Sequence, residues 1–244
     1  MKSYYIYFIL GIGLLLIAGC KKDNGIKKHI IASIPEASGI SYCENSDTLV
    51  VANDEGKLYE ITTDGKILRE KNIGKYDLEG VVCEEKRFIF VNENGDLLSV
   101  DRDTLVTTIF PLIGFDELSK KSGIEGITKV ESDYLLTVQS KDKEKAKFLK
   151  VNIKEGNAVV KSTIHHGISD SAGLEYKDGN LYIVSDTKDK LYIYNLQSNK
   201  IVKKIELPKF AVEGVAIDNN GNIYFADDNG AILKYTLKEL GITI

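Results

Sequence analysis

Three glutamates in this chain are each followed by glycine and flanked by apolar residues. Glu79 lies in Leu-Glu-Gly-Val, Glu125 in Ile-Glu-Gly-Ile and Glu213 in Val-Glu-Gly-Val. Carboxylates that are brought close together raise one another's pKa unless a cation joins them. Hard oxygen ligands of this type suit Ca²⁺. The chemistry therefore depends on whether the fold brings the three glutamates to one place.

The glycines of these motifs belong to a longer repeat along the chain. Each of them opens a short apolar segment, which is followed by a second apolar segment, a turn and two further segments. The five glycines, at intervals of 41, 46, 47 and 41 residues, are Gly39, Gly80, Gly126, Gly173 and Gly214. Four short strands in about 40 residues, repeated in this way, are typical of the blades of a β-propeller.

The two chain ends complement each other in this pattern. The fifth repeat lacks a fourth strand, because the chain ends soon after Tyr235. The segment 29–35, His-Ile-Ile-Ala-Ser-Ile-Pro, precedes the first repeat and can supply that strand, which would remove an open sheet edge. The sequence therefore predicts an all-β, five-bladed β-propeller over residues 29–244 that is closed by an N-terminal strand.

In such a propeller, the residues before the glycines and those that end the second strands lie on one face near the axis. We therefore predict a ligand-binding site there. Its candidate residues are Glu79, Glu125, Glu213, Asn53, Asn92, Asp186 and Asp227, with Glu79, Glu125 and Glu213 as the metal ligands and Ca²⁺ as the possible cofactor. The alternative is structural, because acids in turns also accept hydrogen bonds from the local backbone.

The N-terminus has the features of an exported lipoprotein. Lys2 precedes a short apolar run that ends in Ile17-Ala-Gly-Cys20, which resembles a bacterial lipobox. We predict a signal peptide over residues 1–19, lipidation of Cys20 and a polar tether over residues 20–28. The protein would then be anchored in the cell envelope, in the outer membrane of a Gram-negative bacterium. The alternative is an uncleaved N-terminal anchor with an incidental cysteine.

Two cysteines remain for the predicted propeller. In an exported protein, one such pair of cysteines favours a disulfide. However, Cys43 and Cys83 are one residue out of step in corresponding strands, so their side chains are expected to point in different directions. We therefore predict two buried thiols.

Several function classes find no support in the sequence. The formal net charge is −4 at pH 7, and no basic patch or nucleic-acid-binding motif is present. Gly-x-Ser-x-Gly, P-loop and HExxH motifs are also absent. The three histidines do not assemble into a Ser-His-Asp set, since His29 lies in the closing strand.

With the repeats aligned, the chain resembles the SdiA-regulated family of bacterial propellers and, more distantly, NHL and SMP-30-like propellers. The matching segments are Ala37-Ser-Gly-Ile40, Asp77-Leu-Glu-Gly-Val81, Gly123-Ile-Glu-Gly-Ile127 and Asp170-Ser-Ala-Gly-Leu174. This resemblance implies an exported or envelope propeller. SMP-30-like lactonases hold one divalent cation in the central funnel through glutamate, asparagine and aspartate, which are the residue types of the candidates above.

Three functions follow as hypotheses. The first is a membrane-anchored binding module that uses its axial face for a ligand, a cation or an envelope protein. The second is a calcium-dependent lactonase or esterase of the SMP-30 type, which would require a water-activating cation and a general base in the funnel. The third is a structural interaction platform. The sequence favours the first and leans against an enzyme.

Overall fold

A computed structural model describes residues 25–118 and 122–243 of the chain. These residues form two short 3₁₀ turns and twenty-one strands, which are arranged in five sheets. Among them, no helix is long and apolar enough to cross a membrane. Cys20 and the predicted signal peptide lie outside the described residues.

The strands are numbered along the chain and grouped into blades. The first 3₁₀ turn (Lys27–His29) leads into β1 (Ile30–Ser33). Blade 1 contains β2 (Ala37–Cys43), β3 (Thr48–Asn53), β4 (Lys57–Thr62) and β5 (Ile67–Asn72). Blade 2 contains β6 (Leu78–Cys83), β7 (Arg87–Asn92), β8 (Leu97–Asp101) and β9 (Thr107–Phe110), and β10 (Leu112–Ile113) follows it. Blade 3 contains β11 (Ile124–Val130), β12 (Asp133–Val138), β13 (Lys147–Lys154) and β14 (Asn157–His165). Blade 4 contains β15 (Ser171–Lys177), β16 (Asn180–Ser185), β17 (Lys190–Asn195) and β18 (Lys200–Glu206), with the second 3₁₀ turn (Asp186–Lys188) between β16 and β17. Blade 5 contains β19 (Val212–Ile217), β20 (Asn222–Asp227) and β21 (Ala231–Thr236).

The predicted five-bladed propeller is confirmed, and so is its closure. β1 pairs antiparallel with β21 and becomes the outer strand of blade 5. The N-terminal strand therefore joins the last blade to the first. One feature is additional: β10 pairs in parallel with β14 and gives blade 3 a fifth strand from the chain that leaves blade 2.

The core consists of apolar layers between neighbouring blades. Side chains from both faces of the inner strands are buried, because each blade packs against one neighbour on either side. The layer between blades 1 and 2, for example, includes Val50, Phe88 and Phe90, and that between blades 4 and 5 includes Leu191 and Phe225. This packing explains why the second strand of each repeat reads as a continuous apolar run.

The glycines of the five inner strands contact one another around the propeller axis and narrow the central channel there. A Cβ atom on Gly39 would lie 2.6 Å from the Cα of Gly80, and one on Gly173 would lie 2.7 Å from the Cα of Gly214. Each of the five repeat glycines meets the next in this way, so only glycine allows five backbones to come so close. The cavity left at this level measures about 10 Å³, which is about the space of one water molecule. The axial opening is therefore a shallow cup with a closed floor.

The prediction of two free thiols is wrong. Cys43 and Cys83 form a disulfide with a Cα–Cα distance of 5.3 Å. Equivalent side chains of neighbouring blades point the same way around the axis. Two side chains can therefore meet between blades only when one of them is a residue out of step. The one-residue offset between Cys43 and Cys83 therefore allows the disulfide, whereas in the sequence it is an argument against one.

Candidate functional site

Acidic side chains from three blades converge at the axial opening. The carboxylate oxygens of Asp54, Glu213 and Asp228 all lie within 4.8 Å of one another, and the same is true of Asp54, Asp77 and Glu79. Asp54 belongs to both groups and links blade 5 to blade 2. We call these five residues the mouth. The glycine ring of the inner strands forms its floor.

A β-bulge aims the glutamates at the mouth. In blade 2, Leu78 pairs with Asn92 and Gly80 pairs with Val91, so Glu79 is the extra residue without a partner across the ladder. The inner strands of the other blades carry a register irregularity at the corresponding position. A bulge of this kind breaks the alternation of a strand and redirects a side chain. The residue before each ring glycine is thereby turned towards the axis.

Two turns supply two of the three aspartates of the mouth, and the third, Asp77, directly precedes β6. Asp54 is the first residue after β3, and Asp228 is the first residue after β20. The preceding residues hold these turns in shape. Asn53 donates from Nδ2 to the carbonyl of Pro35 (2.7 Å) and accepts from the backbone N–H of Glu55 (2.9 Å).

Asp227 likewise holds its turn in blade 5 by hydrogen bonds. Its Oδ1 accepts hydrogen bonds from the backbone N–H groups of Ala211 (3.1 Å) and Asn229 (3.0 Å). Asn53 and Asp227, both predicted as ligand-binding residues, thus position the turns whose next residue reaches the mouth.

The other predicted residues lie around the mouth but outside its two groups. Glu125 occupies the bulge position of blade 3. Asn92 ends β7, and its buried Oδ1 has no hydrogen-bond partner among the described residues. Asp186 begins the second 3₁₀ turn, and burial, followed by the charges of Asp189 and Asp170, raises its pKa.

No basic side chain of the described residues forms an ion pair with the acids of the mouth. None of the ion pairs among the described residues involves Asp54, Glu79 or Glu213. Some buried acids elsewhere in the propeller do have basic partners. Asp133, for example, pairs with both Lys150 (3.2 Å) and Lys161 (2.8 Å), and these lysines help to lower its pKa.

The pKa values of Glu79, Glu213 and Asp54 in the mouth, and of Glu125 beside it, are shifted in the opposite direction. Burial raises the pKa of Glu79 to about 10, with further contributions from Glu125 and Asp54. Burial raises the pKa of Glu213 to about 9, with Asp228 and Asp54 adding to it. The same cause raises the pKa of Glu125 to about 7 and that of Asp54 to about 6. The carboxylates are therefore costly to ionise without a cation.

One buried atom of the mouth lacks the hydrogen-bond partner that buried polar atoms normally have. The Oδ1 atom of Asp54 is buried and accepts no hydrogen bond from any described residue. Glu79 is only 9% exposed, and its carboxylate has no hydrogen-bond partner among those residues. An orphaned acceptor at the centre of an acidic cluster is suited to a ligand that brings positive charge or hydrogen-bond donors.

The ligand-binding residues predicted from the sequence include Asn53 and Asp227 but not their neighbours Asp54 and Asp228, nor Asp77, whose carboxylates belong to the two groups. Asp54 and Asp228 stand in the turn motifs Asp54-Glu-Gly56 and Asp228-Asn-Gly230, in which an acid also accepts hydrogen bonds from the local backbone. The available signal was the strand period. If the side chain of the last residue of a strand is hydrogen-bonded to the backbone of the turn, the side chain of the next residue is the one that reaches the axis.

A separate cavity of about 940 Å³ lies at blade 3, between the chain that follows β10 and the β12–β13 loop. Its lining includes Phe115, Gln139 and Lys147. Lys147 is paired with Glu117 and lies 5.2 Å from the centre of the Phe115 ring. Its buried charge is thus compensated, in contrast to the mouth.

Solved structures share the fold at low sequence identity. The glutaminyl cyclase of Myxococcus xanthus superposes with a TM-score of 0.61 at 13% identity, covering 84% of this chain and 94% of that chain. A protein of unknown function from Bacteroides caccae gives a TM-score of 0.53 at 14% identity, covering 83% and 82%. At these identities the likeness concerns the fold alone. No curated protein matches the sequence.

The sequence matches the model of a known protein family. The model of the SdiA-regulated family matches residues 21–229, which span most of the chain and reach from the tether to the turn of Asp228. This match confirms the resemblance inferred from the glycine repeats. The chain therefore belongs to the SdiA-regulated family.

Proposed function

We propose that the protein is a membrane-anchored binding module of the cell envelope whose mouth binds a divalent cation, Ca²⁺ being the best fit. The observation that carries this proposal is the orphaned Oδ1 of Asp54, which lies at the junction of two acidic groups without a paired lysine or arginine among the described residues. A cation would supply the missing partner and the missing charge.

The chemistry of the donor set supports calcium among the divalent cations. Ca²⁺ takes six to eight oxygen ligands in a flexible arrangement and readily uses carboxylates. Asp54, Glu213 and Asp228 would hold it on the blade 5 side, and Asp77 and Glu79 would contribute from blade 2. No cysteine or histidine is part of either group, so the donors do not favour a softer metal.

A calcium titration followed by thermal unfolding tests the proposal. A cation that binds only the folded state should stabilise it by about 2.7 kcal/mol at 100 times its Kd. For a domain of this size that corresponds to a rise in Tm of roughly 5–10 °C. Mg²⁺ at the same concentration should raise the Tm less, since it prefers a compact octahedral shell.

Two variants separate a cation site from a structural cluster. The double variant Glu79→Gln/Glu213→Gln should abolish the calcium-induced shift and leave the metal-free protein as stable as the wild type or more so. Glu55→Gln, which removes a charge from an exposed turn residue, should keep the shift. If calcium has no effect on the wild type and each Gln costs about 1–3 kcal/mol, the carboxylates are structural and the proposal fails.

The membrane anchor is tested independently of the mouth. Mass spectrometry of the native mature protein should find a diacylglyceryl group on Cys20 as the first residue. Cys20→Ala should remain unprocessed or be released in soluble form. An intact Met1 on the wild-type protein, or cleavage at another residue, would exclude the lipoprotein assignment.

One observation favours the hydrolase as a second candidate. A pKa near 7 for Glu125 is the property expected of a general base at neutral pH, and Glu125 stands beside the mouth. Calcium-loaded protein should then hydrolyse a lactone or ester in a broad substrate panel, and Glu125→Gln should abolish that activity. If no substrate in the panel is hydrolysed, the binding module remains.

A further inference from the structure

The chain enters the propeller at the face opposite the mouth. β21 begins beside the turn of Asp228, at the mouth, and runs away from it. β1 is antiparallel to β21, with Ser33 opposite Ala231 and Ile30 opposite Leu233. β1 therefore begins opposite the middle of β21 and runs towards the mouth, and the residues before β1 lie closer to the far end of blade 5. We call the far face the base.

Hydrogen bonds at both ends of β1 support this direction. After β1, the carbonyl of Pro35 accepts from Nδ2 of Asn53 and that of Glu36 accepts from the backbone N–H of Asp54 (3.2 Å), so the chain has reached the mouth. Before β1, Nδ1 of His29 lies 2.9 Å from the carbonyl of Lys234, towards the base end of β21.

The C-terminal segment meets the same face. The backbone N–H of Leu237 donates to the carbonyl of Gly221, in the turn between β19 and β20. The ring of His29 stacks on the ring of Tyr235 near the end of β21, with 3.7 Å between the ring centres, and Ile26 packs against the apolar layer between blades 4 and 5. The start and the end of the described chain therefore lie together at the base of blade 5.

From this geometry we infer that the propeller stands on the membrane with its base towards the bilayer and its acidic mouth towards the aqueous phase. The inference rests on the proposed lipid at Cys20. It deepens the proposed function, because a mouth that faces away from the bilayer takes its ligand from solution and not from the lipid.

The length of the tether supports this orientation. Only residues 21–24 separate Cys20 from Gly25, so a fully extended chain between them spans at most about 18 Å. The six residues of β21 already extend about 20 Å from mouth to base. A tether that starts at the base is thus too short to pass the full height of the blade and hold the mouth against the bilayer.

Three exposed lysines lie close to the start of the chain, although other turns of the base carry exposed acids. Lys27 and Lys28 are exposed in the first 3₁₀ turn, and Lys238 is exposed after β21. The neighbouring acid Glu239 is engaged locally, since its Oε2 accepts from the backbone N–H (2.8 Å) and the hydroxyl of Thr236 (2.9 Å). Exposed lysines beside a lipid anchor are attracted to anionic headgroups.

Two labelled variants of the mature lipoprotein test the orientation. Asn220→Cys places a thiol in an exposed turn at the base, and Asn229→Cys places one in an exposed turn at the mouth. Both positions belong to blade 5, and β20 (Asn222–Asp227) lies between them. Since Cys43 and Cys83 form a disulfide, a fluorescent maleimide reacts only with the new thiol.

The labelled proteins are reconstituted into phosphatidylcholine–phosphatidylglycerol vesicles that carry a short-range quencher on the lipid headgroups. The label at position 220 should lose most of its emission, and the label at position 229 should keep the emission that it has in solution. Equal quenching at both positions, as for a propeller lying on its side, would overturn the inference. Stronger quenching at position 229 would do the same.

A second form of the protein separates this inference from the lipid anchor. Hexahistidine replaces Cys20, residues 21–244 are kept, and the protein is bound to vesicles with nickel-chelating lipids. Quenching restricted to position 220 supports the orientation even if the native chain proves not to be lipidated. Quenching at position 229 in this form overturns the orientation, whatever the fate of Cys20.

Discussion

Glu79→Gln should change how the stability of the cation-free protein depends on pH. Burial, aided by Glu125 and Asp54, raises the pKa of Glu79 to about 10 in the folded protein, whereas the unfolded chain has the ordinary value near 4.5. Between these values the folded state holds a proton that the unfolded state releases. Stability is therefore lost as the pH rises above about 4.5, and the loss continues until the pH reaches the folded-state pKa.

The magnitude follows from the shift of this one group. Each pH unit inside the window costs about 1.4 kcal/mol, so the step from pH 5 to pH 7 costs about 2–3 kcal/mol. Glutamine resembles the protonated acid and does not titrate. Between pH 5 and pH 7, the free energy of unfolding of the variant should therefore rise by that amount relative to the free energy of unfolding of the wild type.

Urea unfolding at pH 5, 6 and 7 in the presence of a chelator measures the effect. Far-UV circular dichroism and tyrosine fluorescence are suitable signals, because the chain has 13 tyrosines and no tryptophan. Glu55→Gln, which removes an exposed carboxylate outside the mouth, is the matched control. If the curves of Glu79→Gln and the wild type stay parallel from pH 5 to pH 7, Glu79 is ionised in the folded protein and the reasoning about the mouth is refuted.

Two further predictions concern the scaffold. Replacing Cys43 and Cys83 together by alanine should lower the free energy of unfolding by about 4 kcal/mol, because their disulfide closes a loop with a sequence separation of 40 residues; an unchanged urea midpoint in oxidising buffer would contradict this. Ile34→Ala should cost about 2–5 kcal/mol, because Ile34 is fully buried just after the closing strand, whereas Ile30→Ala, at a position 43% exposed in that strand, should cost little. Equal urea midpoints for these two isoleucine variants would show that closure contributes little to stability.

The architecture was predictable because it depends on local patterns that repeat. Glycines such as Gly80 and Gly126 recur at nearly constant intervals, and each interval holds four strands with their turns. A strand buried on both faces needs a continuous apolar run, so the repeat was visible without knowledge of long-range contacts. The closing role of the segment before Gly39 followed from counting strands.

The sequence predicts that acidic residues lie near the axis, but it does not predict which residue of each turn belongs to the mouth. The bulge positions, such as Glu79 and Glu213, could be placed near the axis because they precede the ring glycines. Which residue of each turn reaches the axis depends on which one is already bound by the local backbone. The sequence does not show that Asn53 and Asp227 are engaged in this way and leave Asp54 and Asp228 free to converge.

The sequence by itself determined the number of blades, the glycine floor, the closing strand and the family, since these depend on the period and on the chemistry of single positions. Only the tertiary structure decided which groups meet between blades. The Cys43–Cys83 disulfide and the junction at Asp54 both join residues from different repeats. Such contacts depend on the rotation of one blade relative to the next, and a pattern read along a single strand contains no information about that rotation.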